Sequence, residues 1–132
     1  MTALVPYLLL PGTAAEALAF YRSVFGGETV AHTYAEFGRA DGPADAIAHG
    51  MLLNGPVELG LSDAAADEDA LHMNGLFFSL LGTADPETLT HWFARLGDGG
   101  RVLDPLQERP WGAHDGTLVD RFGVRWLIGY EG

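Results

Sequence analysis

The stretch RPWGAHDGTLVDRFGVRW, from Arg109 to Trp126, gathers a histidine, two aspartates, three arginines and two tryptophans. A histidine beside a carboxylate raises the question of a proton relay. His114 and Asp115 are adjacent, however, and adjacent residues of a strand point to opposite faces, so they form no relay dyad. A second histidine, His49 in AIAHGMLLN, follows an alanine just as His114 does. Glu58, in PVELGLSD, is the best single candidate for proton transfer, because a carboxylate turned toward a largely apolar cavity can act as a general acid or base near neutral pH. Each of these has a plainer reading. A strand histidine is often half-buried and hydrogen-bonded to a neighbour, Glu58 could be a solvated carboxylate or the ion-pair partner of Arg125, and Ser62-Asp63 could close a turn through side-chain hydrogen bonds. With no cysteine in the chain, thiolate chemistry, disulfides and Cys-type zinc sites are excluded.

The elements that must position these residues follow from composition and periodicity. A chain of 132 residues, 48% hydrophobic, closes one core and leaves no room for a second ordinary domain, so a single domain over 1–132 is expected. Its 18 acidic against 7 basic residues give a formal net charge of -11, which argues against nucleic acid and anionic membrane surfaces as partners. The apolar opening LVPYLLLPG carries Pro6 and Pro11 and falls short of the ~20 residues of a membrane span, so a cytoplasmic protein is expected.

ALVPYLLL predicts a strand. Thr13 is placed to cap a helix over AAEALAFYRSVF that ends at Gly26-Gly27. ETVAHTYAEF, AIAHGMLLN and PVELGLSD predict three more strands, the last two joined by a tight hairpin at Asn54-Gly55. The second half repeats this order. GLFFSLLG predicts a strand, Asp85 to Leu96 a helix opened by Pro86, and RVLDPLQE, AHDGTLVD and VRWLIGY three further strands. EALAFYRSVFGG and ETLTHWFARLGDGG match residue for residue at several positions, which marks a duplication. Module one covers 1–63, a loop 64–73, and module two 74–132.

PYLLLPGTAAEALAFYRSVFGGE, AIAHGMLLNGPVELGLSDA and WGAHDGTLVDRFGVRWLI resemble the PhnB-like branch of the vicinal oxygen chelate superfamily, which includes glyoxalase I, extradiol dioxygenases and bleomycin resistance proteins. The resemblance covers nearly the whole chain. It implies an α+β fold of two tandem βαβββ modules, with curved mixed sheets, helices on the convex side and a concave pocket. Some members carry a ubiquinone methyltransferase label, but no strand here leads into the glycine-rich turn of a nucleotide-type cofactor sheet. Metal-using relatives place a His, Gln or Glu on the first and last strand of each module. The matching positions here read Pro6, Glu58, Gly75 and Leu127, so one residue of four could ligate, and neither metal nor cofactor is expected.

Given that fold, strand alternation assigns faces. Val57, Leu59 and Leu61 suit the helix side, as do Leu76, Phe78 and Leu80, and Trp126 with Ile128. His49, Glu58, Phe77, Ser79 and Arg125 then face the pocket. Trp111, on a connection with no periodic reason for a large aromatic, and Phe37, at a strand end, could cap the pocket or meet another subunit. The expected ligand-binding set is therefore Phe37, His49, Glu58, Phe77, Ser79, Trp111 and Arg125. Three function classes stay open: a homodimeric binding protein for a small, partly apolar molecule, a metal-dependent lyase or dioxygenase, and a structural dimer module without a ligand.

Overall fold

The computed structural model describes residues 3–132. Two compact units are present, the first ending at Leu71 and the second running from His72 to Gly132. Each contains one helix and one four-stranded mixed sheet. Among the described residues no helix is long and apolar enough to cross a membrane.

In the first unit β1 (Tyr7–Leu10) leads into α1 (Ala14–Phe25), followed by β2 (Glu28–Thr33), β3 (Ile47–Leu53) and β4 (Leu59–Asp63). The sheet order is β1-β4-β3-β2, with β1 parallel to β4 and the other pairs antiparallel. The α1 stripe Ala17, Leu18, Tyr21, Val24 and Phe25 is buried, and so are Leu8, Leu10, Leu52, Leu59 and Leu61 from the sheet. Helical spacing on one side and alternation on the other thus bring two apolar surfaces together.

The start of α1 is held differently from the expected cap. Thr13 occupies the N-cap position but its side chain makes no cap bond. The amide of Ala14 donates instead to Asp63 Oδ1 at 2.9 Å, and the amide of Ile47 donates to Asp63 Oδ2 at 2.9 Å. The hydroxyl of the fully buried Tyr34 donates to the Asp63 carbonyl at 2.7 Å. One buried carboxylate at the end of β4 therefore ties the helix start to the start of β3, where a local turn was expected.

The second unit repeats the plan: β5 (Phe78–Leu81), α2 (Pro86–Gly97), β6 (Arg101–Glu108), β7 (His114–Val119) and β8 (Arg125–Tyr130), in the order β5-β8-β7-β6. Here the cap is local, since Asp85 accepts from the Thr88 amide at 2.8 Å and Pro86 opens the helix. Leu89, Trp92, Phe93 and Leu96 of α2 are buried, as are Leu118, Val124, Trp126 and Ile128 of the sheet side. Phe78 meets Trp126 edge-on, ring centres 5.7 Å apart. Pro105 is tolerated in β6 because that strand is an edge and its ladder shifts register around Asp104. The turn before β8 is organised by Asp120, which accepts from the amides of Phe122 at 2.8 Å and Val124 at 3.1 Å and from the Trp126 indole at 2.9 Å.

Several strands are shorter than predicted. β2 stops at Thr33 because the Glu36 carboxylate accepts from the Thr33 amide at 3.0 Å and closes a turn, which puts Phe37 inside that turn rather than at a strand end. The β3–β4 connection runs from Asn54 to Glu58 and is not a two-residue hairpin. Leu76 precedes β5 and is exposed, so it does not join the helix-facing row.

Candidate functional site

The face of the first sheet turned away from the buried leucines carries an aromatic row. Strand register puts His32 directly opposite His49, and Tyr7 opposite Gly60, which is itself opposite Met51. These positions share the parity away from the buried leucines. Phe37 stacks on His32, centroids 5.3 Å apart, and Tyr7 stacks on His49 at 5.7 Å. Phe37, His32, His49 and Tyr7 therefore cross the sheet as a line of four rings. Gly60 makes room for one end of it: a Cβ there would run into the Tyr7 ring and lie 3.0 Å from the Met51 sulfur. Both terminal rings are open to solvent, Tyr7 at 47% and Phe37 at 53%.

The row also carries a polar pair. The Tyr7 hydroxyl and His49 Nδ1 are 2.9 Å apart, a hydrogen bond whose direction depends on the histidine tautomer. If the phenol donates, Nε2 carries the ring proton and is itself a donor. If Nδ1 donates, Nε2 is an acceptor and the phenol proton is available to another group. The pair offers either character to a molecule lying on the rings. The second half of the row is anchored by Glu36, whose carboxylate lies 3.5 Å from His32 Nδ1 and is held below the usual carboxylate range chiefly by its bond from the Thr33 amide. A wider groove of about 450 Å³ on the α1 side, between α1 and β2, is lined by small residues such as Ala15, Ala19 and Ala31 together with Arg22. It holds no comparable pair of proton-exchanging groups.

The residues singled out from sequence scatter over several settings. His49 lies on the row, and Phe37 caps its end. Glu58 is exposed and precedes β4, and its carboxylate accepts from the Asn54 amide at 3.2 Å, so it closes the connection. Ser79 lies opposite Leu127, which lies opposite Thr117, on the face of the second sheet turned away from Trp126 and Ile128, and Phe77 immediately precedes that strand. Arg125 shares the parity of Leu127, but its guanidinium donates to the Met73 carbonyl at 3.0 Å and straps the segment before β5. Trp111 stands apart on the β6–β7 connection, 72% exposed. Tyr7 and His32 were missed as site residues because their partners are fixed by cross-strand register, which no local pattern encodes.

Comparison with known proteins agrees with this architecture. The family model described as the glyoxalase/bleomycin resistance protein/dioxygenase superfamily matches residues 3–128. The chain belongs to that superfamily. Protein YjdN of Escherichia coli (strain K12) is 27% identical over 138 residues, covering 95% of this chain and 92% of the relative. The crystal structure of protein PA1353 from Pseudomonas aeruginosa superposes with a TM-score of 0.80 at 30% identity, covering 99% of this chain and 98% of that one. The PhnB protein from Bacillus cereus gives a TM-score of 0.80 at 22% identity, covering 98% and 99%, and shares the fold. The chain has the superfamily's two-module α+β fold.

Superfamily metal positions can now be tested by register rather than by motif. Leu61 lies between Leu8 and Gly50, and Ile128 lies between Leu80 and Gly116, so these two rows are equivalent. One step along, Tyr7 with Gly60 corresponds to Ser79 with Leu127, and Glu58 corresponds to Arg125. The motif match that set Glu58 beside Leu127 is therefore off by two residues along β8. A separate one-residue offset moves His114 off the His49 position, which belongs to Asp115. Pro6 and Gly75 both lie outside the strands. Among the described residues no three His, Asp or Glu side chains converge on one point. Neither tyrosine with glycine in the first unit nor serine with leucine in the second supplies the His or carboxylate ligands that hold a catalytic divalent ion.

Proposed function

We propose that this superfamily member is a cytoplasmic binding protein for a small, planar, partly apolar molecule, which lies on the row Phe37, His32, His49 and Tyr7 without a catalytic divalent ion. The observation that carries this reading is the bonded Tyr7–His49 pair set among exposed rings. The ring faces supply apolar contact area at little rotamer cost. The pair supplies one oriented polar contact, which is how small-molecule sites fix a ligand's orientation. The two exposed end rings, Tyr7 and Phe37, leave the row open to such a molecule.

The test is an NMR titration with planar heteroaromatic fragments and their saturated counterparts, following the Tyr7 and His49 ring signals. Planar fragments should move those signals and saturated ones should not. Tyr7→Phe keeps the ring and removes the hydroxyl, so fragments with a hydrogen-bonding edge should weaken by up to about tenfold, the worth of one hydrogen bond. Binding that leaves both rings unmoved would refute the site. Elemental analysis of untreated protein should find far less than one divalent ion per chain. A value near one would return the chain to the superfamily's metal enzymes.

A further inference from the structure

The exposed Trp111 has a setting of its own in the second unit. Its connection closes without the indole: the Arg109 amide donates to the Ala113 carbonyl at 2.7 Å, the Gly112 amide donates to the Arg109 carbonyl at 2.9 Å, and Gly112 takes the left-handed turn at φ 97. The backbone is complete, so the ring is displayed rather than used for folding. Beside it opens a hollow of about 210 Å³ whose apolar side is Leu81 and Ala113. Its second aromatic wall is Tyr130, with the His114 ring stacked on it, centroids 4.8 Å apart and planes within 15°. His114 contributes its ring face, and its Nδ1 is buried with no hydrogen-bond partner. The acidic residues of the lining are Asp115, whose carboxylate is bound by Arg109 at 2.8 Å, and Glu131.

Charge decides what such a hollow would take. Arg109 divides its guanidinium between Asp104 at 2.6 Å and Asp115 at 2.8 Å. That cation is thus taken up by two carboxylates, and Glu131 adds a further acidic side chain to the lining of the hollow. An anion would meet repulsion there, on a chain whose formal net charge is already -11. A neutral apolar molecule would gain nothing from the Glu131 carboxylate. A small cation gains from both features, because aromatic faces attract a cation through their quadrupole and carboxylates neutralise it. The volume lies below the roughly 300 to 1,000 Å³ of drug-sized sites, which limits the occupant to a compact head group.

We propose that the hollow between Trp111, Tyr130 and Glu131 is a binding site for a small organic ammonium ion, separate from the aromatic row of the first unit. Choline is the probe, at pH 8 and low salt, with its uncharged carbon isostere, in which a tert-butyl group replaces the trimethylammonium, as the control. In NMR, choline should shift the Trp111 indole and Tyr130 ring signals and leave Tyr7 and His49 unmoved. The isostere should bind about tenfold more weakly or worse, the scale of a cation–ring contact with a partly desolvated charge. Trp111→Ala and Glu131→Gln should each weaken choline several-fold without lowering the melting temperature, because neither side chain is part of the core. Equal binding of choline and isostere would reduce the site to an ordinary apolar hollow and overturn the proposal. So would an unmoved Trp111 indole, or unchanged affinity in Trp111→Ala. The outcome is independent of the planar-ligand reading, whose signals come from other residues.

Discussion

At the residue scale, Asp63 and Tyr34 do more for the first unit than their neighbours in sequence would indicate. Replacing Asp63 by alanine leaves the amides of Ala14 and Ile47 without acceptors in a buried place. The expected loss is about 2 to 4 kcal/mol, from two unsatisfied donors. Asp63→Asn, which keeps one acceptor oxygen, should lose less. Chemical denaturation of the three proteins checks the order, and equal stability of all three would contradict the tie. Tyr34 adds a pH dependence. Burial is the larger cause pushing its phenol above the ordinary value of about 10, with the Arg39 guanidinium pulling the other way. The folded state then holds this proton more tightly than the unfolded chain. The contribution is therefore complete below about pH 10 and drains away as the pH rises through the higher folded value. Tyr34→Phe should flatten the alkaline arm of melting temperature against pH, measured from pH 8 upward, while losing about 1 kcal/mol for the bond to the Asp63 carbonyl.

At the element scale, the two faces of each sheet separate residues that hold the fold from residues that are free to act. Trp126, buried against α2 and bonded to Asp120, should cost about 3 to 5 kcal/mol as alanine. Glu58→Gln should stay within about 1 kcal/mol, since an exposed side chain that accepts one amide can still accept it as a glutamine. Paired unfolding curves decide this, and similar losses for both would mean that the faces are inverted. Periodicity made the helices, the buried leucines and the core tryptophan legible, because those signals are local and repeat along the chain. Asp63 was illegible, since Ser-Asp before a small-residue stretch looks like turn chemistry and its partners lie 49 and 16 residues away. The aromatic row was illegible for a related reason. His32, His49 and Tyr7 acquire a common face only once three strands are in register, and a one-residue slip moves any of them to the other side. Motif matching between the halves suffered the same slip at His114.

At the scale of the whole molecule, the edge strands and the charge set what the chain can do in company. β2 and β6 are edges that leave Val30, Val102 and Leu103 partly exposed, and such edges invite pairing unless covered. We propose a homodimer. Light scattering at micromolar concentration should give about twice the 14.1 kDa chain mass, and a clean monomer would end the proposal. The Asp63 tie bears on time as well as on stability. Amides at a helix start and at the first residue of a strand ordinarily exchange with solvent quickly, through fraying. Those of Ala14 and Ile47 are bonded to a single buried carboxylate from a third segment, so neither end can fray alone. In deuterium exchange they should behave as a matched pair, released only when the first unit opens as one cooperative body.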